Sequence, residues 1–93
     1  MELIAILRNI KPVLEHKYGV TSMGLFGSYV RREERADSDV DILVELKKPI
    51  GLLRFVELKS SLSELLGAEV DLVTTAALKP AIRQHVLKEV VYV

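Results

Sequence analysis

Hydrophobic positions along the chain fall into two patterns, which predict helices and strands in turn. Apolar residues recur every three or four positions over residues 2–17 and over about residues 52–66, the spacing of one helix face. Another helix is predicted from Pro80, because proline is favoured in the first turn of a helix. Short apolar runs predict three strands: residues 20–26, 42–46 and 69–74. With a short helix after the first strand, helices and strands alternate along the whole chain, which is typical of an α/β sandwich.

The last predicted helix has an apolar face and a polar face. Spacing predicts that it buries four side chains, Ala81, Ile82, Val86 and Leu87. The same spacing leaves three side chains at the surface, Arg83, Lys88 and Glu89. Residues 90–93 are apolar for a chain end, so they either pack back on the fold or form part of a partner surface.

Composition limits the class of protein. The 93 residues suffice for one domain, residues 1–93, and an apolar share of 49% supplies one core. Thirteen basic and thirteen acidic residues cancel, so a nucleic acid partner is not expected. The absence of cysteine excludes disulfides and zinc–thiolate sites. No apolar run approaches the roughly 20 residues of a membrane span and the start lacks a signal-peptide layout, so a cytoplasmic protein is expected.

The stretch from Phe26 to Leu46 carries the candidate chemistry. Gly27 and Ser28 follow the first strand, and after ten more residues Asp39 and Asp41 stand at the head of the second. Period-two geometry puts both carboxylates on one strand face, where neighbouring residues lie about 6–7 Å apart at the backbone. Aspartate is disfavoured inside strands, and hard oxygen ligands suit Mg²⁺. Glycine lets the backbone approach a ligand, and free N–H groups at the start of the next helix favour an anion such as a triphosphate.

A run of charged residues follows Ser28. Most of residues 31–35 are expected to form the solvated face of a short helix over residues 28–35. Arg31 is the exception, because it lies about one helical turn after Ser28 and is placed to reach a bound phosphate. We therefore group Arg31 with Gly27 and Ser28 as candidate nucleotide-binding residues.

The alternation of Asp37, Asp39 and Asp41 is also similar to the opening of an EF-hand calcium loop. That loop needs glycine at the next position and a bidentate glutamate six residues later. Ile42 and Lys48 occupy those positions here, which excludes a calcium loop.

Two acidic residues interrupt the third predicted strand. Glu69 and Asp71 lie on one face, and Val70 and Leu72 lie on the other. Acidic residues are unusual inside strands, as they are at the first pair. Spacing alone nevertheless favours a solvent-facing Asp71, so the strand pattern by itself assigns it no chemistry.

The motif Gly27-Ser28, ten residues, then Asp39-Val40-Asp41 resembles the signature of the minimal nucleotidyltransferase family, part of the DNA polymerase β-like superfamily. The resemblance covers nearly the whole chain and implies a small mixed three-stranded sheet flanked by helices. It also implies that Asp71 is the third catalytic carboxylate, because the family carries one within an aspartate-leucine-valine run on such a strand. Glu69 is the fallback. Family members commonly show Gly-Ser-x-x-Arg-Gly, whereas this chain has Arg32 in place of that glycine.

The resemblance further implies an enzyme. Asp39 and Asp41 would hold two Mg²⁺ ions, and Asp71 would ligate the ion at the attacking hydroxyl, with ATP as substrate. Many family members are antitoxins paired with a HEPN-domain toxin, which they are thought to neutralise by transferring AMP from ATP to a tyrosine. The expected function is therefore that of a Mg²⁺-dependent protein adenylyltransferase, bound to its HEPN toxin in a hetero-oligomer.

Two other functions stay open at this point. The chain could be a non-catalytic antitoxin that neutralises its toxin by complex formation, in which case nucleotide turnover would be absent. It could also transfer nucleotides to RNA, although zero net charge weighs against this because phosphate contacts usually require excess lysine and arginine.

Overall fold

Helices and strands alternate in the predicted order in the computed structural model, which describes residues 2–93. The elements are α1 (Glu2–Tyr18), β1 (Val20–Phe26), α2 (Ser28–Arg31), β2 (Val40–Leu46), α3 (Gly51–Leu66), β3 (Val70–Thr74), α4 (Pro80–Glu89) and β4 (Val91–Tyr92). A single 3₁₀ turn, Thr75–Ala77, connects β3 to α4. Within the described range, no helix combines the length and the apolar character needed to span a bilayer.

The sheet is mixed and has the strand order β3-β2-β1-β4. Strand β1 runs antiparallel to both β2 and β4, whereas β2 and β3 are parallel. The sequence predicted three strands, and that count is wrong. The fourth strand is the apolar tail, whose Val91 and Tyr92 pair with Leu25 and Gly24 of β1. A two-residue strand has no hydrophobic period of its own, so its pairing depends on a partner that the local pattern does not reveal.

Glycine at position 24 lets the tail pack directly against the backbone of β1. A Cβ atom at Gly24 would lie 2.5 Å from Val90 Cγ2 and 3.2 Å from the carbonyl oxygen of Val91. A larger residue would therefore push β4 off the edge of β1. The tail packs back on the fold through this contact, which selects one of the two alternatives left open by the sequence.

The main core lies between one face of the sheet and the helices α1 and α3. Its central residues are fully or almost fully buried: Leu7, Met23, Leu25, Ile42, Val44, Leu58 and Leu62. Period-two geometry sends the alternate side chains of β2, among them Asp41 and Leu43, to the other face. The core thus fixes the strands, and the opposite face carries the half-buried Asp41 next to the buried Leu43.

Two predicted helices differ from expectation. Helix α2 ends at Arg31, not near residue 35, because Arg32 adopts a left-handed conformation (φ 59°, ψ 38°) that helical backbone cannot continue. Helix α4 buries Val86 but leaves Ile82 and Leu87 exposed, contrary to the predicted inward face. Glu89, predicted at the surface, lies against the turn between β1 and α2.

Candidate active site

The two strands that carry the predicted carboxylates lie side by side. In the parallel pairing of β2 and β3, Asp41 stands directly opposite Asp71, as Val40 stands opposite Val70. Residues paired in this way point to the same face of a sheet, so the two carboxylates are neighbours. Asp39 precedes β2 by one residue and is exposed. Residues that are about 30 positions apart in sequence are thereby brought together.

Gly27 provides the space that Asp41 occupies. A Cβ atom at position 27 would lie 2.0 Å from Asp41 Oδ2 and 2.8 Å from its Cγ, which is an impossible overlap. The backbone of Gly27 (φ 77°, ψ −152°) also lies in a region that is essentially restricted to glycine. The glycine of the Gly-Ser pair is therefore required for two reasons. Its backbone conformation is one that other residues rarely adopt, and a side chain there would overlap the Asp41 carboxylate.

The ionisation of Asp41 reflects this crowding. Burial is the largest influence, followed by the negative charges of Asp71 and Asp39, and together they raise the pKa of Asp41 to about 6 from an ordinary 3.8. Arg31 opposes the shift only slightly. Glu69, the fallback for the third carboxylate, is not among the groups that shift this pKa. Asp41 and Asp71 thus form an acidic pair, and a cation bound there would favour the ionised form of Asp41.

The turn after β1 is held by a carboxylate that the sequence did not single out. The backbone N–H of Gly27 donates to Glu89 Oε1 over 2.7 Å. Arg31 Nη1 donates to the same oxygen over 3.0 Å and to Oε2 over 3.2 Å. Burial alone would raise the pKa of Glu89, but the hydrogen bonds from Gly27 and Arg31 outweigh burial and lower it. Glu89 therefore joins α4 to the start and the end of α2.

The position of Glu89 follows from β4. The antiparallel register pairs Leu25 with Val91, and continuing it by two residues places Gly27 opposite Glu89. Helical spacing along α4 could not show this contact, since it depends on the tail pairing with β1. The available signal was the apolar tail directly after Glu89, and it becomes informative only once its partner strand is known.

The predicted nucleotide-binding residues lie around the same turn. Ser28 is half-buried and begins α2, while Gly27 occupies the position that caps the helix. The carbonyl of Gly27 accepts hydrogen bonds from the N–H groups of Val30 and Arg31. Arg31 is partly exposed and its Nε also contacts Glu33 Oε2 at 3.3 Å. The turn thus groups Ser28 and Arg31 around Gly27, which the Asp41 carboxylate overlies, and Arg31 is close enough to influence the pKa of Asp41.

The three aspartates do not form a preassembled metal cage. Within residues 2–93, no three histidine, cysteine, aspartate or glutamate side chains converge closely enough to hold an ion. The donor chemistry nevertheless fits Mg²⁺, which typically takes one or two protein carboxylates and completes its shell with waters and substrate phosphates. Burial and the neighbouring charges of Asp71 and Asp39 raise the pKa of Asp41, and a bound cation would oppose both influences by favouring the ionised carboxylate.

Comparison with known proteins identifies the family. The model of the nucleotidyltransferase domain family matches residues 7–93. This chain belongs to the nucleotidyltransferase domain family. The protein adenylyltransferase MntA of Thermococcus cleftensis is 50% identical over 92 residues, which cover 99% of this chain and 93% of the relative.

Solved structures agree with this assignment. A structure assigned as a minimal nucleotidyltransferase superposes with a TM-score of 0.78 at 36% identity and covers 98% of this chain and 95% of that chain. A toxin–antitoxin crystal structure containing AMP-PNP superposes with a TM-score of 0.73 at 25% identity, over 98% of this chain and 68% of that chain. The minimal nucleotidyltransferase fold expected from the sequence is thus confirmed, with a fourth strand added.

Proposed function

We propose that this protein is an adenylyltransferase that transfers AMP from ATP to a hydroxyl group, expected to be a tyrosine of a HEPN-domain toxin, and so acts as an antitoxin. One observation carries the proposal: Asp41 lies across Gly27 and beside Asp71, which unites the acidic pair with the Gly-Ser turn. The relative MntA is named a protein adenylyltransferase, and a structural relative is a toxin–antitoxin complex with an ATP analogue.

Mg²⁺ is part of this proposal. Asp39, Asp41 and Asp71 would hold the metal on the sheet face opposite the main core, with further ligands from the triphosphate. When bound, it would neutralise phosphate charge and stabilise the entering and leaving oxygens of an in-line displacement.

The roles of the other residues follow from their positions around the turn. Ser28 and Arg31 would bind the β- and γ-phosphates, and Gly27 would contribute chiefly by leaving room for Asp41. The acceptor oxygen would attack the α-phosphorus, the bond from that phosphorus to the pyrophosphate oxygen would break, and pyrophosphate would leave. Asp71, which neighbours Asp41 across the parallel strands, would take the proton of the acceptor hydroxyl.

A transfer assay tests the proposal. The purified chain is incubated with its HEPN partner, Mg²⁺ and ATP labelled on either the α- or the γ-phosphate. We expect the α-label on the partner and no γ-label, and we expect Asp41→Asn to abolish labelling. Asp37→Asn is the matched control, because Asp37 is an exposed carboxylate in the same loop and should label normally. Equal labelling by wild type and Asp41→Asn would contradict the proposed mechanism.

Measuring the remaining activity of the toxin after the same incubation separates the main alternative. If the chain neutralises its toxin equally well without any transfer, and Asp41→Asn does so too, then complex formation alone accounts for the antitoxin effect. If neutralisation is lost together with labelling, the chemistry is required.

A further inference from the structure

The last residue of α4 makes the most specific polar contacts near the site. The Glu89 side chain is only 15% exposed, although it lies at the end of a surface helix. Its Oε1 accepts two hydrogen bonds at once, from Gly27 N–H and from Arg31 Nη1, and its Oε2 accepts one from Arg31. His85 Nε2 lies 3.6 Å from Oε2, one helical turn back. Hydrogen bonds to a charged acceptor are stronger than neutral ones, so this carboxylate fixes both donors relative to each other.

The main chain holds this carboxylate in place from both sides. Strand β4 follows Glu89 after one residue and is paired to β1 through Leu25 and Gly24. Helix α4 precedes Glu89 and is anchored by the buried Val86. Glu89 is therefore a fixed point against which the more exposed Arg31 is held, since the Arg31 side chain is 42% exposed.

The contact leaves part of Arg31 available. Its guanidinium uses Nη1 for Glu89 and Nε for Glu33, and Nη2 makes no hydrogen bond to any residue in the range 2–93. A guanidinium carries five N–H groups in a planar fork, so fixing one side orients the other. An arginine that is oriented before its ligand arrives loses less side-chain freedom on binding.

We propose that Glu89 is a positioning residue of the nucleotide site: anchored on the Gly27 N–H, it holds Arg31 in the orientation that binds the phosphates of ATP. This inference rests on the proposed function. Glu89 itself carries a negative charge and does not contact the triphosphate; it acts through Arg31. In a competing arrangement, Glu89 occupies hydrogen-bond donors that the phosphates of ATP need. Mutation of Glu89 would then free those donors and tighten the binding of ATP.

Titration calorimetry with ATP and Mg²⁺ distinguishes these arrangements. Glu89→Gln keeps the size of the side chain but removes the charge, and we expect the dissociation constant for ATP to rise about tenfold. Glu89→Asp, which keeps the charge but withdraws it from both donors, should also weaken binding. Glu33→Gln is the matched control, since Glu33 contacts the same arginine from an exposed position and should change affinity little.

A double variant tests the route of the effect. If Glu89 acts through Arg31, Arg31→Gln/Glu89→Gln should bind ATP no more weakly than Arg31→Gln alone. A purely structural role would instead make the two losses multiply, and this outcome would overturn the inference. Unchanged or tighter binding by Glu89→Gln, in a wild type that binds ATP, would overturn it as well while sparing the proposed function. Failure of the wild type to bind ATP would overturn both.

Discussion

The residues at the two ends of helix α2 share a positive φ, but only the residue at the first end has to be glycine. Both Gly27 before the helix and Arg32 after it have a positive φ, 77° and 59°. Gly27 combines it with ψ −152°, a backbone shape essentially restricted to glycine, and has the Asp41 carboxylate directly over it. Arg32 combines it with ψ 38°, the left-handed helical region that other residues can enter at a cost of about 1–2 kcal/mol.

The site therefore requires glycine at position 27, whereas the chain tolerates a larger residue at position 32. At Gly27, any side chain would displace a carboxylate of the acidic pair. At Arg32, the side chain is exposed and only the backbone is strained. We therefore expect Arg32, at the position where the family resemblance led us to expect glycine, to cost stability through its left-handed backbone and not through a steric contact.

The largest effect is expected at Gly27, before the start of α2. Gly27→Ala would put a methyl group where Asp41 Oδ2 lies, so both the turn and the carboxylate must move. Because misplacing reacting groups by about 1 Å can cost roughly 100-fold in rate, we expect adenylyl transfer to fall by at least this factor. We also expect a lower free energy of unfolding, measured by urea denaturation.

Gly51→Ala provides the control for Gly27→Ala. Gly51 has nearly the same φ, 78°, but a Cβ there would meet nothing within 4 Å. This variant should therefore lose about 1 kcal/mol of stability from backbone strain and keep its transfer rate. If the two alanine variants lose activity equally, steric contact with Asp41 is not the reason that position 27 is glycine.

A smaller effect is expected from the charge of Asp41. Its pKa is about 6 in the folded protein and ordinarily 3.8, so the folded state binds the proton more tightly than the unfolded chain. Its contribution to stability is thus most favourable below about pH 4 and is lost as the pH rises through 6. Allowing for solvent screening, we expect this loss to be about 1–2 kcal/mol.

Unfolding of the wild type and Asp41→Asn in a chelating buffer, between pH 4 and pH 7, measures this loss. The stability of the variant relative to the wild type should increase across that interval, because asparagine does not ionise. Asp37→Asn should follow the wild type. Parallel curves for the wild type and Asp41→Asn would show that the pKa of Asp41 is not raised by burial and its acidic neighbours.

The smallest effect is expected at Arg32, after the end of α2. Arg32→Gly relieves the left-handed strain but makes the unfolded chain more flexible, so we expect a net stabilisation of about 0.5–1 kcal/mol. In a domain of this size the unfolding midpoint would rise by a few degrees, and transfer should be unchanged. A destabilised variant would mean that the Arg32 side chain makes a stabilising contact that outweighs its backbone strain.

The sequence predicted the order of elements well because α1, α3 and the strands β1, β2 and β3 each have a strong hydrophobic period. That Asp39 and Asp41 share a strand face stays a prediction, because β2 begins at Val40, one residue after Asp39. The spacing alone favoured a solvent-facing Asp71, and Asp71 is exposed in the structure. Only the family resemblance indicated that Asp71 belongs with Asp41, which it pairs with across the parallel strands. Physical reasoning from local pattern cannot supply a register between distant strands.

The contacts of Glu89 could not be predicted for a related reason. A charged residue on the exposed side of a helix is ordinarily solvated, and helical spacing placed Glu89 there. Only the two-residue strand after it, seated against Gly24, turns the end of α4 toward the turn at Gly27. The exposed apolar residues of α4 were mispredicted because the helix is buried through Val86 alone.

The claim that the aspartates and the Gly27 turn form one nucleotide site is tested most directly by thermal unfolding with Mg²⁺ and ATP. Ligand at a hundred times its dissociation constant adds about 2.7 kcal/mol to the free energy of unfolding. In a domain of this size that raises the midpoint by roughly 10 °C or more. We predict such a shift only when Mg²⁺ and ATP are both present, and none in an Asp39→Asn/Asp41→Asn double variant. An equal shift in that variant would contradict the claim.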